Sequence, residues 1–197
     1  MQVDIEGVNR SLFLTLNAPA GLVGIPLNLA IGAAKYSILM LAGIVVWQWL
    51  RGSSHDRSVI IHVVLAVAPA LVINYVVGLV FFHPRPFMVG LGHTYLAHAP
   101  EASFPSDHAT FMWTIAFGFL YWSPTRPSSW IAVLLAALTS WARVFLGVHF
   151  PFDIAGSMVV ALFSIVAIAP VRALTACRIA EPIEAAYIFI IRRMGWK

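Results

Sequence analysis

Residues 59–82 read VIIHVVLAVAPALVINYVVGLVFF, 24 positions without a charge. Coiled as a helix rising about 1.5 Å per residue, such a run exceeds the roughly 30 Å of hydrocarbon in a bilayer. It ends in His83-Pro84-Arg85-Pro86, where polarity returns all at once. The reading this stretch demands is a helix that crosses a membrane and stops at a polar rim.

Four further segments carry the same signal, at approximately 30–50, 106–122, 130–147 and 152–171. The segment 106–122 is short, and its outer end is expected to be covered by protein rather than lipid. Composition agrees: 60% of the chain is hydrophobic and only 10% charged, whereas a soluble domain carries about 25% charged residues. The expected fold class is an all-α integral membrane protein: a single domain over residues 1–197, built as a bundle of about five transmembrane helices. Two flanking segments are amphipathic. In 4–17, Ile5, Val8, Leu12, Phe13 and Leu16 recur at helical spacing among Asp4, Glu6, Asn9 and Arg10, the pattern of a helix lying in the interface. In 181–197, Ile183, Tyr187, Ile190 and Ile191 face one way and Arg192, Arg193 and Lys197 close the segment, as in a second interfacial helix.

Other classes are excluded early. A net charge of +4 is small for nucleic-acid binding. The single cysteine, Cys177, permits neither an internal disulfide nor a cysteine metal cluster. The first residues carry Asp4 and Glu6 instead of a basic cluster, so no cleavable leader is expected. Basic residues set the orientation. Arg51, Arg57, Arg126, Arg172, Arg178, Arg192, Arg193 and Lys197 share one side, which makes that side cytoplasmic. The N-terminus and the loops after the second and fourth spans then face outward.

Three polar stretches interrupt the apolar chain: His83-Pro84-Arg85-Pro86, Pro105-Ser106-Asp107-His108, and Arg143 followed by His149 and Asp153. The alternation of spans delivers all three to the outward face. Ionisable residues at membrane depth are costly and mark functional cavities. Their types suit phosphate. Arg85 and Arg143 can each grip phosphate oxygens with paired charge-assisted hydrogen bonds. Ser106 occupies a helix-cap position, so the backbone N–H groups from Asp107 onward would point at an anion. His149 and Asp153 are four residues apart, so the carboxylate can hold one imidazole nitrogen protonated and leave the other as a nucleophile.

Together these stretches resemble the three-part signature of the type 2 phosphatidic acid phosphatase superfamily. Within it, the chain is most similar to the BcrC-type branch that acts on undecaprenyl diphosphate. Leu71-Val72-Ile73-Asn74-Tyr75, Pro84-Arg85-Pro86-Phe87 and Ala102-Ser103-Phe104-Pro105-Ser106-Asp107-His108 carry that likeness, which covers about residues 70–160. The resemblance implies hydrolysis of undecaprenyl diphosphate to the monophosphate and inorganic phosphate at the outer face of the bacterial inner membrane. That reaction recycles the lipid carrier for peptidoglycan and raises tolerance to bacitracin. In this scheme His149 attacks phosphorus to form a phosphohistidine, His108 protonates the leaving oxygen and Asp153 orients His149. Arg85, Arg143, Ser106 and the Asp107 backbone hold the phosphoryl group. The implied partners are a polyprenyl diphosphate and membrane lipid, with no cofactor, no metal, no nucleic acid and no protein partner.

Two departures from the pattern stand out. Ala142 replaces the usual serine before Arg143, and Gly78 stands where the family carries a phosphate-binding lysine. Lys35 is the candidate substitute, either reaching the cavity or snorkelling to the interface. Loop 83–105 is expected to cover the cavity mouth, with Phe87, Met88, Leu91 and Tyr95 against lipid. His83, His93 and His98 in that loop do not form a compact metal motif. His55 and His62 read as solvent or interface residues of the inner side. The residues leave two alternatives open: the same chemistry on phosphatidic acid, phosphatidylglycerol phosphate or lipid A, and a non-catalytic lipid-binding protein.

Overall fold

A computed structural model describes residues 4–194, all helix and loop, with no strand among the described residues. In chain order the helices are α1 (Ile5–Leu16), α2 (Ile25–Arg51), α3 (Ser54–Val80), α4 (Asp107–Trp122), α5 (Pro127–Phe145), α6 (Pro151–Ile168), the short α7 (Arg172–Thr175) and α8 (Glu181–Arg193). Proline stands in the first turn of α2, α5 and α6, where its missing N–H costs nothing. Helix α3 begins with a capping box between Ser53 and Asp56.

Among the described residues, four helical stretches are long and apolar enough to cross a membrane: α2, α3, α5, and the stretch that starts with α6 and runs on to Arg193. Helix α4, the short third span, has 16 residues, which is about 24 Å of rise. It is the central post of the bundle, packed against α3, α5 and α6. The chain also departs from expectation after residue 171. Instead of stopping and restarting, helix continues through a 3-10 turn, α7 and a π turn into α8. Helix α8 returns to the basic end of the bundle, where Arg57 pairs with Glu184 at 3.1 Å and Tyr187 packs on Trp49. Lys197 lies outside the described residues.

Lipid tails are as apolar as leucine, so helices in a bilayer associate through close packing and hydrogen bonds. The helix contacts accordingly use small residues. Ala30 and Ala34 of α2, Ala66 and Ala70 of α3, Ala109 and Ala116 of α4, and Ala132, Ala136 and Ala142 of α5 are all buried. Large apolar side chains such as Leu39, Val72 and Phe163 stand on the outside. Buried polar pairs fix the register. Asn74 of α3 donates to Asp107 and to Thr110 of α4, both at 2.9 Å, and Trp113 of α4 donates to Ser140 of α5 at 2.9 Å.

Helix α1 docks on the bundle end that carries the polar stretches. Phe13 is fully buried against Val144 and Phe150, and Asn9 accepts the Phe152 backbone N–H at 3.0 Å. Ile5, Val8, Leu12 and Leu16 remain exposed, so α1 presents one face to the protein and an apolar one to the interface. Loop 83–105 differs from expectation. Leu91 packs beside Phe13 and Val144, and the Tyr95 backbone N–H donates to Leu146 at 3.0 Å while its hydroxyl bonds Pro19 and Leu22. Both side chains therefore tie the loop down onto protein, and Met88 and Val89 are the exposed apolar residues. His62 also differs. It is fully buried, with Nδ1 2.6 Å from the Ser58 carbonyl and Nε2 2.9 Å from the Thr175 hydroxyl, pinning α3 to α7.

Candidate active site

The end of α3, the start of α4, the end of α5 and the start of α6 meet at one end of the bundle, and all three polar stretches meet there. The turn between α5 and α6 sets the position of His149. Gly147 in that turn has φ +79°, and a Cβ there would stand 2.2 Å from the His93 carbonyl oxygen, so only glycine fits. The turn is closed by Val148 N–H donating to Arg143 at 3.1 Å.

His149 is buried, 1% exposed, and both ring nitrogens are engaged. Nδ1 lies 3.3 Å from Asp153 Oδ2, and Nε2 lies 3.0 Å from Arg85 Nη1. A guanidinium only donates, so Nε2 must be the acceptor and Nδ1 must carry the proton. Burial pushes the imidazole down to about 4 against the opposing pull of Asp153, and Arg85 and Arg143 push the same way as burial. His149 is therefore a neutral imidazole with its lone pair directed at a cation.

Asp153 is held from several sides. Its Oδ2 accepts the Phe150 backbone N–H at 2.7 Å and the Ser103 hydroxyl at 2.5 Å. It thereby caps the first turn of its own helix while facing His149. Ser157, one turn further along α6, bonds the Ser106 backbone N–H at 2.9 Å and so joins the start of α4 to α6.

Arg85 is 5% exposed and donates to the carbonyls of Val148 and Ala102, both at 3.1 Å. Arg143 is 4% exposed, in the last turn of α5. Five buried polar atoms at this end find no hydrogen-bond partner among the described residues, and three of them, Arg85 Nε, Arg143 Nε and Ser106 Oγ, suit an anion; the others are His83 Nδ1 and Asp153 Oδ1. Ser106 is the N-cap of α4, yet its hydroxyl makes no capping bond. An unpaired buried polar group costs about 1–3 kcal/mol, a cost that is retained where a ligand will pair it. Behind Ser106, the first-turn N–H groups of α4, beginning with Asp107, have no intrahelical partner. Two guanidinium groups, a hydroxyl and a helix N-terminus make an anion-binding set. The Asp107 carboxylate is turned toward Asn74 of α3 at 2.9 Å, so its backbone is the part that serves the set.

His108, in the first turn of α4, is half-buried and near enough to Arg143, His149 and His98 for their charges to act on it. Lys35 stands apart. Helix α2 starts at Ile25, earlier than the sequence suggests because Pro26 is tolerated in its first turn, so Lys35 lies nearly three turns inside the helix. Its side chain is exposed and makes no hydrogen bond or ion pair with a described residue, the placement of a snorkelling lysine. Position 78 faces Ala102, whose carbonyl holds Arg85: a Cβ there would stand 3.4 Å from the Ala102 methyl.

Several residues at this end carry little weight in the linear sequence. Ser103 is fully buried between His149 and Asp153, Asn74 steadies the start of α4, and His98 places its ring 6.1 Å from that of His149. Burial pushes the His98 imidazole down, as do Arg85 and Arg143. Ser103 lies in the stretch 102–108 that carries the family likeness. His98 lies outside it. Among the described residues no cluster of His, Cys, Asp and Glu is arranged to hold a metal.

Comparison with known proteins places this geometry. The chain is 37% identical over 154 residues to the putative undecaprenyl-diphosphatase YbjG of Escherichia coli (strain K12), covering 78% of this chain and 77% of that protein. It is 38% identical over 128 residues to undecaprenyl-diphosphatase BcrC of Bacillus subtilis (strain 168), 65% of each chain. Among solved structures, Aquifex aeolicus LpxE aligns with a TM-score of 0.63 at 19% identity, over 86% of this chain and 99% of the other. A transmembrane PAP2-type phosphatidylglycerolphosphate phosphatase from Bacillus subtilis aligns at 0.60 and 17% identity, over 86% of each. Those two likenesses concern the fold alone. The family model of the PAP2 superfamily matches residues 59–175, which is more than half of the chain and takes in all three polar stretches, and this membrane protein belongs to that superfamily.

Proposed function

We propose that this chain hydrolyses undecaprenyl diphosphate to undecaprenyl phosphate and inorganic phosphate, with His149 as nucleophile. The observation that carries the reading is the junction at His149, where Nδ1 faces Asp153 and Nε2 faces Arg85 at 3.0 Å. A phosphoryl group bound by Arg85, Arg143, Ser106 Oγ and the first N–H groups of α4 would draw the Arg85 hydrogen bond onto its oxygens. That frees the Nε2 lone pair in front of phosphorus. Nε2 bonds to the terminal phosphorus as the bridging P–O bond breaks, and the electron pair leaves on the lipid monophosphate oxygen. His108 supplies the proton to that oxygen. Asp153 supports the positive ring that forms, and the two guanidinium groups offset charge on the transferring group. Water then attacks the phosphohistidine, with His108 as base, and releases inorganic phosphate.

The lipid is chosen on three supports. The relatives with the highest identity quoted above are named for undecaprenyl diphosphate. A groove of about 600 Å³ beside the anion set is lined by Leu71, Tyr75, Leu79, Phe82 and Phe104, and Ala102 and Asp107 form its wall toward Arg85 and α4. It suits a prenyl chain that stays in the bilayer. The basic end, with Arg51, Arg57 and Arg126, is opposite the site, which supports a site on the outer face of the plasma membrane. Recycling of the lipid carrier for envelope polymers would follow from that placement. The test is phosphate release from undecaprenyl diphosphate by purified protein in detergent with excess chelator. Wild type releases phosphate, and His149→Ala reduces kcat by at least about a thousandfold. Retention of activity in that variant refutes the nucleophile assignment, and release from phosphatidic acid but not undecaprenyl diphosphate refutes the substrate.

A further inference from the structure

His83 is an ionisable group at this end that the reaction above leaves unused. It sits two residues before Arg85, in the loop that leaves α3. Its ring packs edge-on against Phe150, with centroids 5.2 Å apart, and stacks on Phe81. Each ring nitrogen faces a carboxylate oxygen. Nδ1 is 3.6 Å from Asp153 Oδ1, and Nε2 is 3.4 Å from Glu6 Oε2 on α1. His83 Nδ1 and Asp153 Oδ1 are both buried and have no other partner among the described residues. Two buried polar atoms that lack other partners and face one another at that distance form a long ionic contact. The loop is braced for it, because the Ser103 N–H donates to the His83 carbonyl at 2.7 Å while the Ser103 hydroxyl holds the other Asp153 oxygen.

A ring with a carboxylate at each nitrogen satisfies both only as an imidazolium, since the neutral ring has one donor. We propose that His83 is a positioning residue of the phosphatase site: as an imidazolium bridging Glu6 and Asp153, it fixes the second oxygen of the carboxylate that orients His149 and couples that carboxylate to helix α1. The inference rests on His149 and Asp153 acting as proposed above. It adds a second histidine to the same carboxylate, so that each oxygen of Asp153 has its own ring, and it gives α1 a part in the reaction. The charged groups facing His83 are Glu6 and, behind it, Arg10 on α1, Asp153 on α6, and Arg85 on its own loop. The carboxylates prevail: the Asp153 contact, then the Glu6 contact, raise the His83 imidazole above its ordinary value despite burial. By sign, the bridging form is present below that raised value and is lost as pH rises through it.

The test compares His83→Leu, His83→Asn, His83→Gln and Glu6→Gln in the full chain, with undecaprenyl diphosphate in detergent micelles. Asparagine places its amide N–H near the imidazole Nδ1 position, toward Asp153. Glutamine places its own near Nε2, toward Glu6. In His83→Leu, kcat is expected to fall about tenfold or more with KM within threefold of wild type. Asn should restore kcat to within about threefold, and Gln should not. In wild type, kcat steps down as His83 deprotonates on the alkaline side. Glu6→Gln moves that step to lower pH, because one of the two carboxylates that hold the proton is gone. Equal rates in His83→Asn and His83→Gln would overturn the proposal without depending on whether the leucine variant folds. So would a His83→Leu rate within twofold of wild type, or an alkaline step unmoved by Glu6→Gln. His149→Ala in the same assay separates the two readings. If it abolishes turnover while the His83 variants behave as wild type, only this inference falls. If it leaves turnover intact, both do.

Discussion

Replacing Asp153 by asparagine separates the charge of the orienting group from its geometry. Asp153 Oδ2 accepts the Phe150 backbone N–H at 2.7 Å and the Ser103 hydroxyl, and it faces His149 Nδ1. The Phe150 N–H can only donate. The asparagine oxygen must therefore take the Oδ2 place, and its NH₂ group turns toward His83, whose Nδ1 must then give up its proton and accept. In that arrangement His149 keeps its proton on Nδ1 and its lone pair on Nε2. What disappears is the negative charge beside a ring that turns positive as Nε2 bonds to phosphorus. A hydrogen bond to a charged group contributes about 1.5–3 kcal/mol and a neutral one about 0.5–1.5. The transition state thus loses roughly 1–2 kcal/mol at this contact, and further support from the loss of a buried charge. At about 1.36 kcal/mol per decade, the contact alone lowers kcat about 5- to 30-fold, and the lost buried charge carries the fall to about 10- to 100-fold. The assay is the initial rate of phosphate release at saturating undecaprenyl diphosphate, beside His149→Ala as the floor. A kcat at that floor would mean that the tautomer inverts and that the Phe150 N–H does not dictate the amide orientation. A kcat within threefold of wild type would mean that the charge of Asp153 plays no part. Either result refutes the reasoning.

Gly147→Ala places a methyl group against the His93 carbonyl and holds a non-glycine residue at φ +79°. It should destabilise the protein by about 1–3 kcal/mol, seen as a lower apparent Tm in detergent, and it should lower kcat because the turn that carries His149 must move. Because burial pushes the His149 imidazole down to about 4, the nucleophile stays neutral well below the ordinary imidazole range. The acid limb of kcat/KM, which reports the free enzyme, should have its midpoint nearer 4 than 6.5, and a pH profile at substrate well below KM checks it.

Much of this protein is legible in one dimension because the bilayer imposes a one-dimensional rule. A segment either is apolar over enough length to cross or is not. Runs such as 59–82 therefore declare their helices, and alternation of spans carries Arg85, Ser106, Arg143, His149 and Asp153 to one face. Spacing alone also brings His149 within reach of Asp153, since both lie within one turn. The limits have an equally plain cause. In α2 and α3 the lipid-facing side is as apolar as the packed side, so periodicity does not tell which residues meet. For that reason Lys35 could be assigned either a reach toward the site or a snorkel to the interface, and in the structure its side chain is exposed. His62 could likewise be taken for an interface residue, although the return of α7 buries it.

The sequence by itself determined the class of fold, the end of the bundle at which the polar stretches gather, and which residues gather there. Each follows from hydropathy, charge placement or short-range spacing. Only the tertiary structure decided how helices separated by tens of residues rotate against one another. That rotation puts Ser103 beneath Asp153, sets Arg85 against His149 Nε2, folds loop 83–105 onto α1, and aligns Glu6, His83 and Asp153. These contacts join residues 50, 64, 77 and more positions apart. No local pattern encodes them, because they arise from the fit of small residues between helices.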